Sequence, residues 1–288
     1  MLSLSNDQLD VSILDPVADR ALLGSRYCTG GYIYEVSDRQ KGVITSGPGY
    51  PVEVPPPVFD GQGLPEAFPS FLWPGVDSVA PDFQPSVGTR MLVIGVGFVR
   101  STRPEEFRLM PVDEPCRWTI SRPASGIRME TSQEFEDWSL GLTRDVKLVN
   151  RSVISTTTLR NVGRVPVKFR WFPHPFFPDP RGECCKYNVP VTIPDHVGYE
   201  LLDNGWIATR HERPWTRAGY FLSLNSDATD RLVTLQRHPK LGTIVATCSY
   251  AASWLPIWGN IYTFSFEPYL SVSVVPGAEH SWSITYDF

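Results

Sequence analysis

Long apolar runs are missing from this sequence. No stretch approaches the ~18 uninterrupted apolar residues of a membrane-spanning helix, which excludes a membrane partner of that kind. The first sixteen residues, MLSLSNDQLDVSILDP, place Asp7 and Asp10 where an export signal needs a basic start and an apolar run. Cysteine is sparse: Cys28, Cys116, Cys184, Cys185 and Cys248 form an odd set, and adjacent Cys184 and Cys185 bridge each other only with strain. Free thiols and a cytoplasmic location are the expectation. The five histidines (His174, His196, His211, His238, His280) include no two at ligand spacing, so no metal site is expected. There is no G-x-x-x-x-G-K-[ST], H-E-x-x-H, G-x-S-x-G or C-x-x-C, and Gly95-Val96-Gly97 lacks the third glycine of a dinucleotide fingerprint because Arg100 stands there. Positive charge is short as well, with 26 Lys+Arg against 31 Asp+Glu. The net charge of −5 repels phosphate backbones and argues against a nucleic-acid partner.

What is present is aromatic, apolar and rich in turns. The 288 residues are 42% hydrophobic and only 20% charged, which excludes disorder, collagen-like repeats and a coiled coil. Their 27 prolines and 22 glycines favour many short elements joined by turns. Ser281–Phe288 (SWSITYDF) alternates polar and apolar throughout, the period of a half-buried strand. Val165–Phe172, Ile261–Glu267 and Gly31–Val36 alternate similarly. The β-branched and aromatic runs Ser152–Leu159, Leu232–Leu235 and Thr243–Thr247 add further strands. Helical spacing persists for one or two turns at best, near Leu64–Phe71, where Pro65 and Pro69 keep any helix short. The expected class is all-β. The Pro-rich stretch 47–59 resembles a linker, but the preceding ~45 residues hold too few apolar side chains for a core of their own. They are expected to add edge strands to one domain spanning residues 1–288.

Two residues stand out by position. Lys168 and Arg170 share one face of the strand ending in Trp171-Phe172-Pro173-His174-Pro175, and parity puts His174 on that polar side. The flanking prolines restrict the backbone that carries it. On its own residues, His174 reads first as a capping or structural histidine in an aromatic loop. Thr263, Ser265 and Glu267 share the polar face of the strand 261–267, bordered by Trp258 and Tyr269. Glu267 reads as an exposed carboxylate or as part of a sugar site, where rings pack on pyranose C–H faces and charged groups accept hydroxyls. The basic segment Arg210-His211-Glu212-Arg213, with Trp215 and Arg217, is either a solvated loop or an anion or sugar contact.

Several ordered blocks resemble the aldose 1-epimerase (galactose mutarotase-like) superfamily, including its hexose-6-phosphate mutarotase branch. Leu159-Arg160-Asn161-Val162-Gly163, Val165-Pro166-Val167 and His174-Pro175-Phe176-Phe177 resemble its "N-x-G … P … H-x-[YF]-F" block. Trp258-Gly259-Asn260, Phe266-Glu267-Pro268 and Pro276-Gly277-Ala278-Glu279 resemble its closing "W-G … E-P … P-G-E" block. The resemblance implies a mostly antiparallel β-supersandwich that interconverts the α and β anomers of an aldose or sugar phosphate. It implies His174 as general acid, Glu267 as general base, Trp258 and Arg100 as substrate contacts, a monomer or homodimer, and no cofactor. Val96-Gly97-Phe98-Val99-Arg100 resembles the H-G-F-[AG]-R block, with Val96 where many members carry a second histidine. Gly63-Leu64-Pro65 resembles the G-G-[IV]-P block, with Asp60-Gly61-Gln62 in place of the expected arginine, and adjacent Glu66 is expected to contact a sugar hydroxyl. Two readings compete: a carbohydrate-binding β-sandwich without turnover, and an accessory sandwich whose aromatic patch docks a protein.

Overall fold

The computed structural model describes residues 1–49, 61–73, 85–102, 110–210, 216, 218–227 and 229–288. It is built of antiparallel strands, and the only helical element among the described residues is the short 3-10 turn Arg20–Leu22. No helix among them is long and apolar enough to cross a membrane. The alternating and β-branched segments become strands within about three residues of their expected bounds: Ile33–Asp38, Ser152–Asn161, Val167–Pro173, Val233–His238, Gly242–Cys248, Thr263–Phe266 and Glu279–Asp287.

The longest strands form a ten-stranded sheet whose centre runs Gly126–Phe135, Trp138–Val149, Ser152–Asn161, Glu279–Asp287, Gly242–Cys248 and Val233–His238. Glu279–Asp287 lies between Ser152–Asn161 and Gly242–Cys248, so the end of the chain holds two parts of this sheet together. On its inner face Leu140, Leu142 and Val146 alternate with half-exposed side chains, as the period of two requires. Four small sheets pack over that face. The strands Leu2–Ser5, Leu9–Ile13, Ile33–Asp38 and Gly42–Val43 make one of them, and Leu9, Val11, Ile13, Ile33 and Val36 enter the same core as Phe169, Trp171, Trp282 and Tyr286. The N-terminal segment thus shares the core, though as a sheet of its own rather than as edge strands of the large one.

No helix forms near Leu64–Phe71, the one segment where helical spacing persists for a turn or two. The chain there is extended: Glu66–Ala67 pairs with Phe172–Pro173, and Phe71–Leu72 pairs with Leu92–Val93. Pro65 and Pro69 remove two helical N–H donors, and cross-strand pairing satisfies the backbone instead. Gly63 opens this segment at φ +78°, where a Cβ would lie 2.2 Å from the Tyr34 carbonyl oxygen, so a side chain is excluded by both conformation and space. Its amide donates to Ser46 and its carbonyl accepts from Phe176.

The repeated motif residues close turns. Asn161 donates its side-chain amide to the carbonyls of Val165 and Val274 and accepts from the Gly163 amide. Asn260 donates to the Pro48 carbonyl and accepts from the amides of Tyr262 and Thr263, which starts the strand leading to Glu267. All five cysteines are unpaired. Burial pushes the Cys28 thiol up to about 11, and those of Cys185 and Cys248 up to about 12.

Candidate functional site

His174 follows directly from the strand Val167–Pro173. Lys168 and Arg170 point to the outside, and two residues further on the same face closes over into a cleft lined by Phe172 and His174. The His174 amide donates to the Pro65 carbonyl and the Phe176 amide to that of Gly63, so the extended 63–67 segment forms the seat of the loop. The imidazole stacks on Phe176, with ring centroids 4.4 Å apart and planes at 18°.

Glu267 arrives from the adjoining small sheet. Thr263–Phe266 pairs with Leu255–Gly259, with Ser265 opposite Trp258, and the Glu267 amide donates to the Pro256 carbonyl. Alternation buries Phe264 and Phe266 in the core and turns Ser265 and Glu267 towards His174. His174 Nε2 lies 3.3 Å from Glu267 Oε1, and His174 Nδ1 shares a 2.9 Å hydrogen bond with Ser265 Oγ. Both ring nitrogens are therefore engaged. The two side chains are nearly enclosed, with His174 3% and Glu267 5% exposed.

The cleft around this pair has a volume of about 280 Å³, just below the ~300–1,000 Å³ range of ligand sites. Its walls are largely aromatic: Phe172, Phe176, Phe221, Trp258 and Tyr269. Phe172 and Tyr269 stack face to face at 4.3 Å and 8°. Burial and the Glu267 carboxylate push the Tyr269 phenol well above its ordinary value, against an opposing pull from Arg26 and Arg170, so Tyr269 stays a neutral donor. Such a cleft can exchange protons through a paired imidazole and carboxylate while apolar faces of a small polar ligand rest on rings.

Of the five site residues expected from the sequence, the structure brings His174, Glu267 and Trp258 to one cleft and leaves two elsewhere. Glu66 does not line it. Its neighbour Ala67 does, and alternation turns Glu66 inward to a buried ion pair with Arg144. The guanidinium of Arg144 also donates to the Gly30 carbonyl, Ser155 and Thr157, so this charge pair belongs to the interior. Arg100 lies on the exposed face of the sheet formed with Arg90–Val93 and Val112–Pro115, where its Nε contacts Asp113 at 2.8 Å. Val96, at the second-histidine position, is 1% exposed among Met91, Val93, Val99 and Met110. Of the basic segment 210–217, Arg210 donates to the Tyr199 carbonyl, whereas residues 211–215 and 217 lie outside the described residues.

The sequence reading missed Arg26, the cationic side chain that lines the cleft among the described residues. It also missed the role of Ser265. Ser265 was within reach, because it sits two residues before Glu267 on the same strand face. Arg26 comes from an irregular segment with no periodicity to signal it.

No protein-family model matches the sequence, and no curated protein does. The fold does have relatives among solved structures. It is similar to a putative aldose 1-epimerase from Escherichia coli K12, with 14% identity, TM-score 0.57, and coverage of 99% of this chain and 97% of that one. It is similar to a galactose mutarotase related enzyme from Lactobacillus acidophilus, with 11% identity, TM-score 0.56, and 99% and 96% coverage. A galactose mutarotase-like protein from Lactobacillus casei matches with 11% identity, TM-score 0.52, and 100% and 99% coverage. At these identities the likeness is one of fold, and the fold is the galactose mutarotase-like antiparallel β-sandwich.

Proposed function

We propose that the protein is an aldose 1-epimerase-like isomerase acting on an aldose or a sugar phosphate. The observation that carries this reading is the 3.3 Å approach of His174 Nε2 to Glu267 Oε1 inside an aromatic cleft. Glu267 takes the proton of the anomeric hydroxyl while His174 delivers one to the ring oxygen, which opens the ring to the aldehyde. Rotation about C1–C2 presents the other carbonyl face, and closure with the two roles reversed yields the other anomer. Proton balance is kept within the pair, and each well-placed group contributes about 10²–10⁴-fold. Ser265 holds Nδ1 and so orients Nε2 towards the reacting oxygens. Trp258 and Phe221 offer rings to the apolar face of the sugar, and Arg26 lines the same cleft as a cation for an anionic substituent. In this reading residues 1–288 act as one domain, as a monomer or homodimer in the cytoplasm, without a cofactor.

A second reading, sugar binding without turnover, is favoured by Val96, whose apolar burial supplies no imidazole to the cleft. Anomer exchange measured by NMR saturation transfer separates the two. A panel of glucose, galactose, other free aldoses and hexose 6-phosphates is expected to include a sugar that exchanges faster with the protein than in buffer. Binding of such sugars with no acceleration would instead establish the second reading.

A further inference from the structure

Outside the cleft, one surface joins exposed aromatic rings to side chains that bind hydroxyls. The strands Tyr220–Leu224 and Leu255–Gly259 pair with Phe221 opposite Trp258, Ser223 opposite Pro256, and Leu224 opposite Leu255. Leu222, Leu224, Leu255 and Ile257 are buried. By alternation, Phe221, Ser223 and Asn225 share the other face with Trp258, Pro256 and Trp254. Phe221 and Trp258 line the cleft at one end of this strip. At its other end, Ser223, Asn225, Asp227, Asp230 and Trp254 line a separate depression of about 210 Å³.

Trp254 connects the two. Its ring lies 4.6 Å from that of Tyr269 and 5.9 Å from that of Phe221, and both of those rings line the cleft. Its indole N–H donates to Ser223 Oγ at 2.6 Å, which holds the ring in place. Trp254 is 38% and Phe221 48% exposed, in a protein whose largest aromatic side chains are otherwise mostly buried. Contiguous exposed rings beside a cleft mark a binding surface rather than a core. From Phe221 to Asn225 the strip advances four residue steps, roughly 14 Å at ~3.4 Å per residue. A single pyranose does not span that distance, whereas a short oligosaccharide does.

We propose that the depression at Trp254 is a second sugar subsite, and that the protein takes the reducing-end ring of a neutral oligosaccharide in the cleft and a following ring on Trp254. The inference rests on the reading of the cleft as a sugar site. A pyranose C–H face packs on the indole, while Asp227, Asp230 and Asn225 receive the outward hydroxyls. The two carboxylates repel a phosphorylated second ring, so the ligand is uncharged there.

Binding is tested apart from turnover by saturation-transfer difference NMR with methyl maltoside, methyl cellobioside and methyl lactoside, whose blocked anomeric carbons cannot exchange. Saturation is expected on both rings of at least one of them. In Trp254→Ala and Asp227→Asn the share on the second ring falls at least fivefold while the first ring keeps its own. In parallel, Trp254→Ala raises KM for exchange of the matching free disaccharide at least fivefold relative to that of its monosaccharide. Two-ring saturation without any anomer exchange keeps the subsite and removes the catalytic reading. Monosaccharide exchange with saturation confined to one ring, or equal losses for mono- and disaccharides in Trp254→Ala, overturns the subsite alone.

Discussion

Ser265 Oγ lies 2.9 Å from His174 Nδ1 across 91 positions of sequence, and that bond decides which imidazole nitrogen faces Glu267. Removing it in Ser265→Ala leaves the ring stacked on Phe176 but frees its tautomer. The loss of one such bond, about 1 kcal/mol, predicts a kcat for anomer exchange lower by roughly fivefold to tenfold with KM little changed. A variant that lowers neither value removes Ser265 from the orienting role.

Glu267→Gln keeps the shape of the side chain and loses the base. Exchange is expected to fall by at least ~100-fold while sugar binding, followed by ring-proton line broadening, persists. His174→Gln is expected to match it, because both proton transfers pass through the pair in each direction. Substantial exchange in either variant contradicts the assigned roles. In the wild type the rate is expected to follow a bell-shaped pH profile, since one group must be ionised and the other protonated.

The interior pair Glu66 and Arg144 separates a structural role from a sugar contact. Glu66→Gln strands the buried Arg144 cation, and breaking a buried pair costs about 3–5 kcal/mol. Urea unfolding is expected to register that loss, and the double variant Glu66→Gln, Arg144→Met is expected to recover part of it. An unchanged unfolding midpoint together with a raised sugar KM would return Glu66 to the cleft.

His238 makes stability depend on pH in a set direction. Its Nε2 lies 2.9 Å from the Ile44 carbonyl oxygen and its Nδ1 accepts from the amides of Lys240 and Leu241. Burial lowers its pKa from the ordinary 6.5, with smaller contributions in the same direction from Lys240 and Lys41 and an opposing one from Ile44. Below 6.5 the unfolded chain takes a proton that the folded chain resists, so stability is full above that value and drains as pH falls towards the lower native pKa. The urea midpoint is expected to drop between about pH 7.5 and 5.5, and less steeply in His238→Gln. His280, whose pKa burial also lowers, contributes in the same sense, so the difference between wild type and variant isolates His238.

Alternation and β-branched runs found seven of the strands, because each buries one face and the polar residues between report the other, but Gly126–Phe135 and Trp138–Val149 were not among them. Alternation located Glu279–Asp287 and Thr263–Phe266, and it carried His174 and Glu267 to the correct faces of their strands. Where proline interrupts the pattern, as at Leu64–Phe71, local preference could not say what the freed backbone pairs with, and the partner Phe172–Pro173 lies about a hundred residues away.

Motif likeness pointed to Arg100 and position beside a motif to Glu66, and neither lines the cleft. One residue of parity turns Glu66 from a surface contact into the partner of Arg144, a strand on the opposite sheet. Arg26 carries no signal of its own, since an irregular segment has no period. The amino-acid sequence by itself determined the all-β class and the strand faces, while the choice of His174 and Glu267 rested on the family resemblance. Only the tertiary structure decided that His174, Ser265 and Glu267 meet, that Arg26 joins them and that Glu66 does not, because those distances depend on how separate sheets pack and on no local property of the chain.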